Sequence, residues 1–105
     1  MKEVCTKCIE KTGVDPAIVV DLQNGKLSND PLLMEHIFCF SVDMGYASES
    51  GEMNFETLRN DVDKIPMIKA SNPVELVTEC QGKGLKGSSS VETIFLNFKC
   101  IMGLN

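Results

Sequence analysis

Five cysteines spread along a chain of 105 residues constrain the fold more than any other feature of this sequence. They are Cys5, Cys8, Cys39, Cys80 and Cys100. In a small secreted domain, cysteines form disulfides that supplement a limited hydrophobic core, whereas in a cytosolic protein they more often bind metal or perform redox chemistry. An odd number leaves one thiol unpaired in the disulfide interpretation. Cysteine content alone leaves both interpretations open.

The residues between the cysteines follow a helical pattern, interrupted by Gly, Pro and clusters of Asn and Ser. An Asp or Asn followed by Pro occurs three times, which is typical of a helix start, since Asp and Asn cap helices and Pro fits their first turn. The predicted helices run from Lys2 to Lys11, from Ala17 to Gln23, within Asp30 to Met44, from a cap at Asn54 to Lys64, from Asn72-Pro73 onward, and from Val91 to Met102. We therefore predict one all-α domain, residues 1–105, with about six short helices and no strand.

Charge and hydropathy argue against several classes of partner. The net charge is −5, and the ten basic residues are scattered rather than clustered, so we expect neither nucleic acid nor an anionic membrane as a partner. No run approaches the roughly 18–20 apolar residues of a membrane span. The start, MKEVCTKC, has no apolar segment, so we expect no signal peptide within this chain.

One cluster of residues fits metal chemistry. Cys5 and Cys8, together with His36 and Cys39, would make a Cys-Cys-His-Cys set of the kind that binds zinc. A redox dithiol normally follows a strand, and none is predicted here. His36 is the sole histidine, and no oxyanion site accompanies it. We therefore keep a zinc-binding domain as a minor alternative and otherwise expect no catalytic residue, no metal and no cofactor; the chain is not predicted to be an enzyme.

The segments around the cysteines resemble insect odorant-binding proteins, the general and pheromone-binding family. Cys8 to Val14, CIEKTGV, resembles the segment around that family's first cysteine. Val91 to Cys100, VETIFLNFKC, resembles the segment that spans its last two. Between them the resemblance continues through Asn29-Asp30, Cys39, Met44-Gly45, Ser50-Gly51-Glu52, Phe55 and Cys80. It covers nearly the whole chain.

The resemblance implies a disulfide pairing. The family has six cysteines, paired first with third, second with fifth and fourth with sixth. Carried over to this chain, that pattern implies the bridges Cys8–Cys39 and Cys80–Cys100. Cys5 lies outside the pattern and is predicted to be a free thiol.

Two cysteines of the family pattern are missing, and they are each other's partners. Glu35 stands in the second position and Val91 in the fifth. Because a complete pair is missing, neither position leaves an unpaired cysteine behind. In this respect the chain resembles the "minus-C" subgroup of the family. A bridge at these positions would have tied the central helix to the last one. We therefore expect a cavity that opens easily beside the central helix, on the side of Glu35.

The resemblance implies a secreted carrier that binds small hydrophobic ligands, such as odorants, pheromones or similar volatiles, in an internal apolar cavity and transports them through aqueous fluid. It implies a monomer or weak homodimer, with a chemosensory receptor as a possible second partner. The expected cavity lining is Ile37, Ser41, Met44, Tyr46, Met53, Phe55, Leu58, Val74, Val77, Ile94, Asn97, Phe98 and Ile101. Ser41, Tyr46 and Asn97 are expected to hydrogen-bond an alcohol, phenol or carbonyl. The alternative is a secreted helical interaction module without a small ligand.

Overall fold

The computed structural model describes residues 2–104, which form six α-helices. They are α1 (Lys2–Thr12), α2 (Pro16–Gln23), α3 (Pro31–Asp43), α4 (Phe55–Asp61), α5 (Pro73–Gly82) and α6 (Ser90–Ile101), and a 3₁₀ turn, Val62–Lys64, continues α4. The described residues contain no strand, only an isolated antiparallel bridge between Ala47 and Met53. The predicted all-α fold is confirmed.

The helix starts follow from the capping residues. The side chain of Asp15 accepts a hydrogen bond from the N–H of Ala17, and Asp30 accepts from Leu32 and Leu33. In both cases proline follows the cap, where its missing N–H costs no helical hydrogen bond. The same interaction begins α4 and α6, from Asn54 to the N–H of Thr57 and from Ser89 to that of Glu92. Local sequence therefore determines where these four helices begin.

Helix α3 is the centre of the domain. It packs most extensively on α6 and next on α1, while α5 packs on α4 and α6. Leu33 and Ile37 of α3, and Ile94, Phe98 and Ile101 of α6, are almost completely buried. Each such side chain contributes roughly 1.5–3 kcal/mol by leaving water. The packing between α3 and α6 is therefore a main part of the hydrophobic core.

Two disulfides connect the helices. Cys8–Cys39 joins α1 to α3 with a Cα–Cα distance of 5.8 Å, and Cys80–Cys100 joins α5 to α6 with a distance of 6.0 Å. Cys5 is free and partly buried. The predicted pairing is confirmed. Because Cys8 and Cys39 are bonded to each other, they supply no thiolates for the zinc set considered above.

No helix in the described part of the chain is both long enough and apolar enough to cross a membrane.

Candidate functional site: an apolar cleft between α1, α2 and α3

A cleft of about 560 Å³ lies between α1, α2, α3 and the segment that follows the 3₁₀ turn. Most of its wall is apolar. Its lining residues are Lys2, Cys5, Thr6, Ile9, Pro16, Val19, Val20, Leu22, Gln23, His36, Phe40, Lys64, Pro66 and Met67. The cleft falls within the usual size range of small-molecule sites, roughly 300–1,000 Å³.

Helical periodicity explains why these residues meet. Cys5 and Ile9 are four residues apart on α1, and His36 and Phe40 are four apart on α3, so each pair lies on one face of its helix. Val19, Leu22 and Gln23 form the corresponding face of α2. The Cys8–Cys39 bridge holds α1 against α3 immediately behind their cleft-lining residues. One wall of the cleft is therefore covalently fixed.

Three of the uncharged polar side chains that line the cleft come together at the Cys5 sulfur. The Cys5 Sγ is 3.9 Å from Nε2 of His36, and Nε2 of Gln23 donates to the same sulfur at 3.7 Å. Burial raises the pKa of the Cys5 thiol, and the hydrogen bond from Gln23 opposes part of that shift. The thiol is therefore kept protonated at neutral pH.

His36 is the most deeply buried of these polar groups, with 2% of its surface exposed. Its Nδ1 makes no hydrogen bond of good geometry within the described residues. Burial lowers the pKa of His36 below its ordinary value, and the backbone of Cys8 offsets only part of that effect. The imidazole is consequently neutral at pH 7 and retains hydrogen-bonding capacity that no side chain uses.

A small void of about 10 Å³ adjoins the deepest part of the cleft. It is lined by Leu22, His36, Ile37, Phe40, Met67 and Phe98, four of which also line the cleft. This volume is near the minimum for one water molecule and is too small for a ligand. The packing behind the cleft is therefore slightly incomplete.

The residues expected from the sequence to line the cavity have several different environments. Ile37 and Phe98 line the small void, and Met53 and Phe55 line a shallow, mainly polar groove beside α4. Met44 is half-buried, whereas Val74 is 50% exposed. The remaining residues are buried in the protein interior: Ser41, Tyr46, Leu58, Val77, Ile94, Asn97 and Ile101. The structure does not bring this set together around one open cavity.

The three polar groups expected to bind ligand are engaged within the protein. Ser41 Oγ donates to the carbonyl of Ile37 at 2.7 Å, and Tyr46 Oη donates to Asp61 at 3.1 Å. Asn97 Nδ2 donates to the carbonyls of Thr93 and Leu85, while its Oδ1 is buried without a partner among the described residues. These side chains support helix packing.

A second groove, of about 340 Å³, lies beside Glu35, the side of α3 on which we expected the cavity. Half of its lining is charged: Lys11, Glu35, Asp43 and Glu49. Burying these charged groups beneath an uncharged ligand would cost more free energy than the ligand's own burial supplies. This groove suits an apolar ligand less well than the cleft beside His36.

The cavity lining expected from the sequence contains no residue of α1 or α2. The available signal was the apolar face of α2, where Val19 and Leu22 recur at helical spacing. Cys5 was predicted to be a free thiol and His36 was considered as a metal ligand or catalytic residue, but neither was expected to line the ligand site.

No match was found among curated protein sequences. The crystal structure of an odorant-binding protein from Locusta migratoria is similar, with a TM-score of 0.78 and 22% identity, over 95% of this chain and 74% of the locust chain. The PBP/GOBP family model matches residues 1–103, and this chain therefore belongs to the PBP/GOBP family.

Proposed function

We propose that this protein is a secreted carrier that binds one small hydrophobic ligand in the apolar cleft and transports it through an aqueous fluid. Family membership and fold are those of odorant-binding carriers rather than enzymes. The observation that carries the proposal is the cleft itself, whose wall is mainly apolar. A volatile odorant or pheromone is the class of ligand that best matches such a site.

The driving force is the transfer of apolar surface from water. A ligand that buries 200 Å² of apolar surface gains about 5 kcal/mol at roughly 25 cal/mol per Å². Burial of the cleft's own apolar side chains adds to this gain, and loss of ligand motion opposes it. A dissociation constant in the micromolar range corresponds to about −8 kcal/mol and is therefore expected.

The polar groups suggest which end of the ligand is recognised. Gln23 carries an amide that can donate or accept, and neutral His36 carries one donor and one acceptor. Both lie in an apolar wall, where a hydrogen bond is stronger than in water. We therefore propose a ligand with a hydrocarbon body and a single carbonyl or hydroxyl group.

Some of the residues expected from the sequence to line the cavity lie behind the cleft. Ile37 and Phe98 would contact a ligand that extends into the small void. The buried residues of α6 in the predicted set, Ile94 and Ile101, would be reached only if the packing between α3 and α6 opened. No disulfide connects these helices, since Glu35 and Val91 occupy the positions of the missing pair.

A matched pair of variants tests the location of the site. Val20 lines the cleft and is 53% exposed, while Val74 lies outside the cleft and is 50% exposed. In Val20→Glu, a charge at the cleft should weaken binding of N-phenyl-1-naphthylamine about tenfold, or roughly 1.4 kcal/mol. Val74→Glu should leave the affinity unchanged.

Displacement of that fluorescent probe by eight- to ten-carbon alcohols and ketones is the second measurement. Displacement by these compounds supports a carrier. If the folded protein takes up no probe, the interaction-module alternative is preferred. If both valine variants behave alike, the ligand binds elsewhere.

A further inference from the structure

We propose that the cleft captures α,β-unsaturated carbonyl ligands covalently at Cys5, with His36 accepting the thiol proton. The proposal rests on the proposed function, because the ligand must first occupy the cleft. Simple hydrophobic transport requires neither a free thiol nor an imidazole in the binding site. The structure places both there.

Two independent observations place reactive groups in one site. Cys5 is the free cysteine of the described chain, and its side chain lines the cleft. His36 comes from a different helix, is 2% exposed and lines both the cleft and the void behind it. Its Nε2 is 3.9 Å from the Cys5 Sγ, and its Nδ1 has no good hydrogen-bond partner among the described residues. A thiol and a base therefore face each other beside space for a ligand.

Both groups of the pair are uncharged at neutral pH. Burial raises the pKa of Cys5 and lowers that of His36, so the pair consists of a neutral thiol and a neutral imidazole at pH 7. The S–H of Cys5 is a weak hydrogen-bond donor. When Nε2 of His36 accepts from it, the single proton of the neutral ring is on Nδ1. Gln23 donates to the sulfur at 3.7 Å and would stabilise negative charge developing there.

The reaction is a conjugate addition that needs no other reactant. As the Cys5 sulfur forms a bond to the β-carbon of the ligand, its proton moves to Nε2 of His36. The electron pair of the carbon–carbon double bond moves toward the carbonyl to give an enolate. The imidazolium then returns the proton to the α-carbon, which completes a thioether adduct. The reverse sequence releases the ligand unchanged.

The cleft's lysines dictate the choice of probe. Lys2 and Lys64 line the cleft, and their amines can form imines with aldehydes whether or not these are unsaturated. Ketones form imines far less readily, and the vinyl group of oct-1-en-3-one offers an unhindered β-carbon. Octan-3-one is its saturated counterpart and cannot undergo conjugate addition. The two compounds separate binding from bond formation.

The test follows adduct formation by intact-protein mass spectrometry and peptide mapping. Oct-1-en-3-one should add once, at Cys5, with a rate that saturates as its concentration rises. Octan-3-one should form no adduct but should slow the addition competitively. Cys5→Ser should form none. A rate that increases linearly without saturation, or that is insensitive to octan-3-one, would overturn capture within the cleft.

The role of His36 requires its own readout. His36→Gln should lower the maximal rate about 100-fold, the usual contribution of a general base. In the wild type the maximal rate should rise with pH as His36 loses its proton and then remain constant through neutrality. Lys2 and Lys64 are the other titratable side chains that line the described cleft. If His36→Gln had an unchanged maximal rate, or if the wild-type maximal rate did not fall at acidic pH, His36 would have no role in the mechanism.

The two proposals fail in distinguishable ways. If octan-3-one displaces the fluorescent probe but oct-1-en-3-one forms no adduct at Cys5, the carrier function stands and covalent capture is wrong. If neither ketone displaces the probe, the cleft is not a site for such ligands and both proposals fail. Should His36→Gln not fold, saturation and competition in the wild type still decide whether capture occurs in the cleft.

Discussion

Replacing each disulfide by two alanines should separate the stability of this protein from its ligand binding, because only one bridge adjoins the cleft. Cys8–Cys39 links the two helices that carry Cys5, Ile9, His36 and Phe40. Cys80–Cys100 links α5 to α6, and no residue of α5 lines the cleft. The two double variants therefore serve as controls for each other.

The expected losses of stability are similar. The bridges close loops of 31 and 20 residues, for which the chain-entropy model gives about 3.7 and 3.3 kcal/mol at 25 °C. Both variants should consequently unfold at lower urea concentration by nearly equal amounts. Cys5→Ser, which breaks no bridge, should change the free energy of unfolding much less. Equilibrium unfolding followed by circular dichroism measures all three.

The expected effects on affinity differ. Without Cys8–Cys39, α1 and α3 are held by packing alone, so a ligand must order one wall of the cleft when it binds. We expect affinity for N-phenyl-1-naphthylamine to fall about tenfold, or roughly 1.4 kcal/mol, in Cys8→Ala/Cys39→Ala. Cys80→Ala/Cys100→Ala should bind as the wild type does, at a temperature where both variants are folded. If the two double variants bound the probe with equal affinity, or if Cys80→Ala/Cys100→Ala lost more affinity, the assignment of the cleft would be refuted.

Two further predictions concern stability. Introducing Glu35→Cys with Val91→Cys should restore the missing link between α3 and α6 and stabilise the protein by up to about 4 kcal/mol under oxidising conditions; failure of the bridge to form would count against the alignment that assigns these positions. Tyr46→Phe removes the 3.1 Å hydrogen bond to Asp61 and should cost about 1 kcal/mol at pH 7 in urea unfolding. Burial, and then Asp61, raise the pKa of Tyr46, so the folded state keeps this proton after the unfolded state has lost it, and stability should fall as pH rises above 10. Above pH 10, Tyr46→Phe should lose less stability than the wild type. If stability depended on pH identically in the two proteins, this role for Tyr46 would be excluded.

The sequence by itself determined the helices and where four of them begin, whereas α4 ends at Asp61 rather than at the predicted Lys64. The caps Asp15, Asp30, Asn54 and Ser89 act through hydrogen bonds to residues two or three positions away, so neighbouring sequence is sufficient to locate them. The disulfide pairing came from the family resemblance rather than from local physics. Both kinds of prediction depend on features visible along the chain.

The binding site depended on the tertiary structure, because it consists of the space that packing leaves unfilled. Ser41 and Tyr46 looked suitable as ligand partners, but the folded chain supplies their hydrogen-bond partners itself. Cys5 and His36 are separated by 31 residues, and the α1–α3 bridge brings them to one cleft. Apolar spacing shows which face of a helix avoids water; only the relative position of α1, α2 and α3 decides whether that face meets a neighbour or a cavity.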